Sequence, residues 1–128
     1  MPVTINGPMP RDVLKELLEA EFPDWKVVTS QRALDVIDRP TILLKQDIIV
    51  PLPAAPQSHF NVSFYVTIAD PHQDMDLAEA ALDQNVLALW AVLLGAPQTM
   101  PKQAKKVLFE GRYMAYDIET DLTVQKGQ

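Results

Sequence analysis

The chain has 128 residues, 48% hydrophobic and 22% charged, with a net charge of −6 and no cysteine. That is one domain's worth of chain, able to bury roughly 14,000 Å² on folding, and the missing thiols exclude disulfides, thiolate catalysis and cysteine-ligated zinc. The acidic balance argues against a duplex-binding surface, and no apolar run reaches the ~18 residues of a membrane span.

Residues 1–9 hold two prolines and a glycine and read as a loosely held, flexible arm. They lack the basic and apolar regions of a signal peptide, so synthesis in the cytoplasm is expected. A first helix is predicted over 10–21. Pro10 suits the first turn, Asp12 suits the positive end, and Val13, Leu14, Leu17 and Leu18 form one apolar stripe. Pro23 ends it, because the residue before a proline avoids the helical region.

Residues 25–29 read as a short strand, and 30–40 fit either a helical turn or a second short strand. A strand follows over 41–50, with Ile42, Leu44, Ile48 and Val50 on one parity; Gln46 breaks that parity and signals a bend or bulge. Residues 51–59 carry prolines at 51, 53 and 56, which favour an extended, stiff connection. Beyond it, residues 60–69 alternate cleanly. Phe60, Val62, Phe64, Val66 and Ile68 share one face, opposed by Asn61, Ser63, Tyr65, Thr67 and Ala69. Such alternation predicts a sheet covered on a single side, with 41–50 and 60–69 as a long antiparallel hairpin.

A long helix is predicted over about 76–94, beginning near Asp74 or Asp76, with Asp76 and Glu79 resembling a capping box. Its second half is apolar all round and so is expected to be buried on more than one side, with the first helix or a neighbouring subunit supplying the extra cover. Gly95 is the expected left-handed stop, and Pro97 prevents continuation. This helix carries packing surface and no candidate chemistry. The last unit is a hairpin of 105–109 and 112–124 around Glu110-Gly111, a turn that places Val107 opposite Met114 and Lys105 opposite Tyr116. Residues 120–124 then have no partner in 105–109 and must pair elsewhere in the sheet or with another subunit.

Little in the chain points to catalysis. Residues 70–76 (Asp-Pro-His-Gln-Asp-Met-Asp) lack the ligand spacing and central glycine of a calcium loop, and aspartates before a helix are ordinary caps. Ser58 beside His59 does not aim one side chain at the other. The four glycines form no phosphate cradle. Lys102, Lys105 and Lys106 read as a solvated strand edge. Asp117, Glu119 and Asp121 line one face of the last strand, either as solvated carboxylates or as an acidic surface facing a channel. No cofactor or metal is indicated.

The order helix, strand, long-tipped hairpin, helix, hairpin resembles the tail terminator (tail completion) proteins of long-tailed bacteriophages. The matching segments are 17–28 (Leu-Leu-Glu-Ala-Glu-Phe-Pro-Asp-Trp-Lys-Val-Val), 39–45 (Arg-Pro-Thr-Ile-Leu-Leu-Lys), 62–94 and 107–118 (Val-Leu-Phe-Glu-Gly-Arg-Tyr-Met-Ala-Tyr-Asp-Ile). The resemblance implies a single α+β domain over 1–128: a two-layer, mainly antiparallel β-sheet with two helices packed on one face, and 125–128 as a flexible tail. It implies a virion structural protein and not an enzyme, forming a hexameric ring in the virion tail that caps the tail tube and meets the head–tail connector. No membrane and no sequence-specific nucleic acid would be partners. Pro51, Leu52, Pro53, Trp90, Leu122 and Val124 are the candidate interface residues, and Asp117, Glu119 and Asp121 the candidate acidic lumen face. Another head-completion or neck protein, or a small-molecule-binding α+β module, are the alternatives.

Overall fold

A computed structural model describes residues 3–4, 10–29, 37–51, 59–109 and 111–125. Along the chain run β1 (Val3–Thr4), α1 (Pro10–Glu21), β2 (Lys26–Val28), β3 (Thr41–Pro51), β4 (His59–Ala69), α2 (Met75–Gly95), β5 (Thr99–Phe109) and β6 (Tyr113–Gln125). The strands form one sheet in the order β1-β6-β4-β3-β2, with β5 also paired to β6. β1 with β6 and β2 with β3 are parallel; β3–β4, β4–β6 and β5–β6 are antiparallel. The fold is α+β with a mainly antiparallel sheet, as the sequence predicts.

The hairpin of β3 and β4 forms with Thr41 opposite Ala69, and the irregularity expected at Gln46 is a bulge between Gln46 and Ile49. One extra residue in β3 reverses its parity there, so Ile49 pairs with Val62 and shares its face, although it stays exposed near the strand's end. β4 lies between β3 and β6. Val62, Phe64, Val66 and Ile68 face both helices in the main core, with Leu14 and Leu18 from α1 and Ala78, Leu82, Val86, Leu89 and Leu93 from α2.

Several expectations are corrected. The sheet is not bare on its other face. Val28, Ile37, Leu43, Ala69, Phe109, Tyr113 and Ala115 make a second buried cluster there, where the Ile37 amide donates to the Tyr113 hydroxyl at 3.4 Å. The β5–β6 register is one residue away from the predicted one: Leu108 faces Met114, Val107 faces Ala115 and Lys106 faces Tyr116. A two-residue turn of either primed type needs positive φ at its first central position, which glutamate resists. The connection instead takes residues 110–112, with Gly111 at a φ of 69° and the Arg112 amide donating to the Phe109 carbonyl at 3.2 Å. A slip of one moves every side chain across the sheet, so Val107 and Phe109 join the second cluster and not the face of Met114 and Ile118.

The end of β6 pairs elsewhere in the sheet, the first of the two expected outcomes. β5 starts at Thr99, farther back than the sequence suggests, and reaches Leu122; β4 and β1 pair with the remainder up to Gln125. Part of the N-terminal arm is therefore strand β1, and Gln125 of the expected tail belongs to β6. Of the ambiguous stretch 30–40, residues 30–36 lie outside the described residues, and 37–40 form neither helix nor strand.

Of the two starts expected for α2, near Asp74 or Asp76, the structure takes the first. Asp74 is the N-cap, its Oδ1 accepting from the amides of Asp76 (2.9 Å) and Leu77 (3.2 Å). Asp74→Ala is expected to cost about 1 kcal/mol, read as a lower urea midpoint at unchanged slope. At the other end Gly95 is helical and not left-handed. Ala96 is extended, as a residue before proline should be, and the positive φ falls on Gln98 at 59°.

Candidate functional site

Of the two covers expected for α2, α1 does not supply one over its outer face. At about 100° per residue, Ala78, Leu82, Val86, Leu89 and Leu93 fall on one stripe, and these are its buried residues. The apolar second half is thus covered on one side only. Opposite that stripe, Leu77, Leu87 and Leu94 are 57%, 70% and 56% exposed, and Ala80, Gln84, Ala88, Ala91 and Gly95 lie exposed among them. Full burial of one leucine is worth about 1.5–3 kcal/mol, so three leave a considerable driving force for association unused.

Beside this face runs an apolar groove between α1 and the end of α2. Its two adjoining hollows, of about 330 and 260 Å³, share Leu17, Ala96 and Pro97. Ala91 and Gly95 belong both to the groove and to the exposed face. By length and composition α2 could cross a membrane, although the sequence contains no uninterrupted apolar run of that length. Its inner stripe is packed into the sheet, and Asp76, Glu79 and Asp83 lie in its first half.

The predicted interface residues fare unevenly. Trp90 is half-buried at the margin of the main core. Leu122 is 1% exposed and pairs with Val62 and Thr99 inside the sheet, so it is core and offers no surface to a neighbour. Val124 is paired in the ladder with Phe60 and Val3, and Pro51 with Phe60. Leu52 and Pro53 lie outside the described residues.

Asp117, Glu119 and Asp121 do share one face of β6, but they are half-buried and each accepts a hydrogen bond. Thr67 Oγ1 donates to Asp117 (2.5 Å), Gln103 Nε2 to Glu119 (3.1 Å), and Ser63 Oγ to Asp121 (3.1 Å). Lys102 Nζ sits 2.8 Å from the other Asp121 oxygen. Lys105 stands opposite Asp117, and Lys45 opposite Tyr65 in the same layer. The face is a mixed-charge ladder, with three ammonium groups set among three carboxylates. A shallow cleft of about 310 Å³ opens on it, lined by Tyr65, Gln103, Lys105, Val107, Asp117 and Glu119. The other lysine of the predicted edge, Lys106, is 3.3 Å from Glu79 of α2 and lies over the Tyr116 ring.

Burial pushes the Asp121 carboxyl up, but hydrogen bonds from Lys102, Ser63 and Asn61 outweigh it and hold it below the ordinary carboxylate range. The hydrogen bond to Asp121 and its charge raise the Lys102 ammonium in turn. A carboxyl lowered in the folded state contributes stability that is fully present above its unfolded value, near pH 4, and lost as pH falls through the folded value. Asp121→Asn is therefore expected to flatten the fall in melting temperature below about pH 4. Melting curves for the two chains that stay parallel through this range would contradict that.

Sequence reasoning placed a bend between β4 and α2 but missed the burial of Asp70 in it. Asp70 is buried there; its Oδ1 accepts from the His72 amide at 2.8 Å and lies 2.7 Å from His72 Nδ1. Its Oδ2 is buried without a partner. The Asp-Pro pair after a strand was the available turn signal. Among the described residues, no group of three or more histidines and carboxylates is placed to hold a metal ion.

No family model and no curated protein matches this chain.

Proposed function

We propose that this chain is a virion structural protein: the ring-forming tail terminator that caps the tail tube and joins it to the head–neck connector. The resemblance over residues 10–124 supplies the ring, the virion location and the two partners, tail tube protein and connector protein. The observation that carries the reading is the exposed apolar face of α2, with Leu77, Leu87 and Leu94 bare to solvent. Such a surface belongs to a building block whose remaining cover comes from other chains.

A closed ring needs two different patches, one meeting the other on the next subunit. Ile49 on β3 and Met100 on β5 are exposed apolar residues away from α2 and suit such contacts. The carboxylate row is not carried forward as an acidic lumen, because Lys45, Lys102 and Lys105 share its face. The small-molecule reading is the weaker one, since Gln103 and Glu119 of the cleft are bonded to each other and Asp117 already accepts from Thr67.

The test is to add the purified chain to tail tubes lacking their head-proximal cap and to image them. Hexameric rings on one end are expected. Label confined to the capsid vertex supports the head-completion alternative, and chain that never associates with tubes or virions overturns the reading.

A further inference from the structure

We propose that the outer face of α2 pairs with the same face of a second copy, antiparallel, about a two-fold axis passing between Gln84 and Leu87. The exposed positions follow a heptad, with Leu77, Gln84 and Ala91 at one seam position and Ala80, Leu87 and Leu94 at the other. In an antiparallel pair the two positions face each other. Leu77 then meets Leu94 of the second copy, Ala80 meets Ala91, and Gln84 meets Leu87. Large side chains oppose large ones and small oppose small. The two Gln84 amides lie one turn apart, within reach of each other, so the one polar group in the seam finds a partner.

Three further observations favour this occupant and orientation. First, Gly95 closes the helix, and a Cβ built there meets nothing within 4 Å among the described residues, so no neighbour there requires glycine in place of the better helix former alanine. In the pair, Gly95 and Ala91 form the hole that receives Leu77 of the second copy. Second, Asp76 and Asp83 lie in the first half of α2, whereas residues 85–97 carry no charge. A parallel pair would set like charges side by side; the antiparallel pair sets each acidic half against an uncharged one. Third, a seam of 18 residues is about 27 Å long and alone falls short of the about 800 Å² per partner of a standard interface. The α1–α2 groove adjoins it at Ala91 and Gly95 and extends the apolar patch.

A two-fold contact closes after two copies, so it is distinct from the head-to-tail contacts of the ring. It holds the free chain as a pair with its apolar face covered.

The absence of native cysteine allows a clean cross-linking test. Ala80→Cys and Ala91→Cys, both at exposed positions, are prepared separately and treated with a short bis-maleimide. Neither variant is expected to link to itself, because the like positions lie 11 residues, or about 16 Å, out of step. A mixture of the two should give a covalent dimer, and Leu87→Glu in both chains should abolish it while sedimentation shifts from dimer to monomer. Self-linking of Ala80→Cys would demonstrate a parallel pair and overturn the proposal, as would no linking in the mixture. Rings on tail tubes without the 80–91 link would remove this contact and leave the terminator reading in place. The link without any tube binding would do the reverse.

Discussion

Phe64→Ala is expected to lower stability by about 3–5 kcal/mol, the largest loss from any single truncation in this chain. Phe64 is 0% exposed and sits on β4, bonded on one side to β3 at Gln46 and on the other to β6 at Thr120. The strands on both sides and the helices above are held by other contacts, so the space vacated by the ring cannot close and the cavity adds to the lost transfer energy. A domain of this size has about 5–15 kcal/mol in total, so the variant should unfold at a much lower urea concentration. Tyr65→Ala, one residue along and on the wetter face, serves as the control and should cost far less. A loss below about 1 kcal/mol for Phe64→Ala would mean that this strand is not the centre of the core.

Two glutamate substitutions two residues apart on α2 should separate folding from association. Leu89 is buried against the sheet. A carboxylate there loses the leucine's contacts and is buried without a partner, a combined penalty of several kcal/mol that exceeds most of the chain's stability. Leu89→Glu should therefore fail to fold, with no cooperative thermal transition. Leu87 lies on the opposite side of the same helix and is mostly exposed. Leu87→Glu should keep the melting temperature within a few degrees, while the concentration for half-association rises at least tenfold. If both variants lose the fold, the outer face is structural within one subunit; if Leu87→Glu still associates normally, that face is not where copies meet.

Much of the fold was legible because its signals are local. The stripe of Leu14 and Leu18, the alternation of Phe60 to Ile68 and the broken parity at Gln46 each follow from one element's own period, and all three appear as expected. What was not legible depended on partners distant in sequence. The β5–β6 register looked consistent in the predicted pairing because Val107 and Phe109 were assigned to the only core in view. The second cluster, built around Ile37, Leu43 and Tyr113, gives them a place on the other face. The early start of β5 was hidden in the same way, since Pro101 and Lys102 disguise its first half as loop.

The candidate site divides in the same way. Composition alone marks α2 as too apolar for a helix with one covered side, and the absence of cysteine and of any catalytic spacing is a property of the chain as written. Which leucines are bare, and which face of α2 the sheet takes, was decided only when Ala78, Leu82, Val86, Leu89 and Leu93 met β4 and β6. A sequence records how greasy a helix is. Burial is a relation between surfaces brought together from distant parts of the chain, and only the tertiary structure sets which surfaces meet.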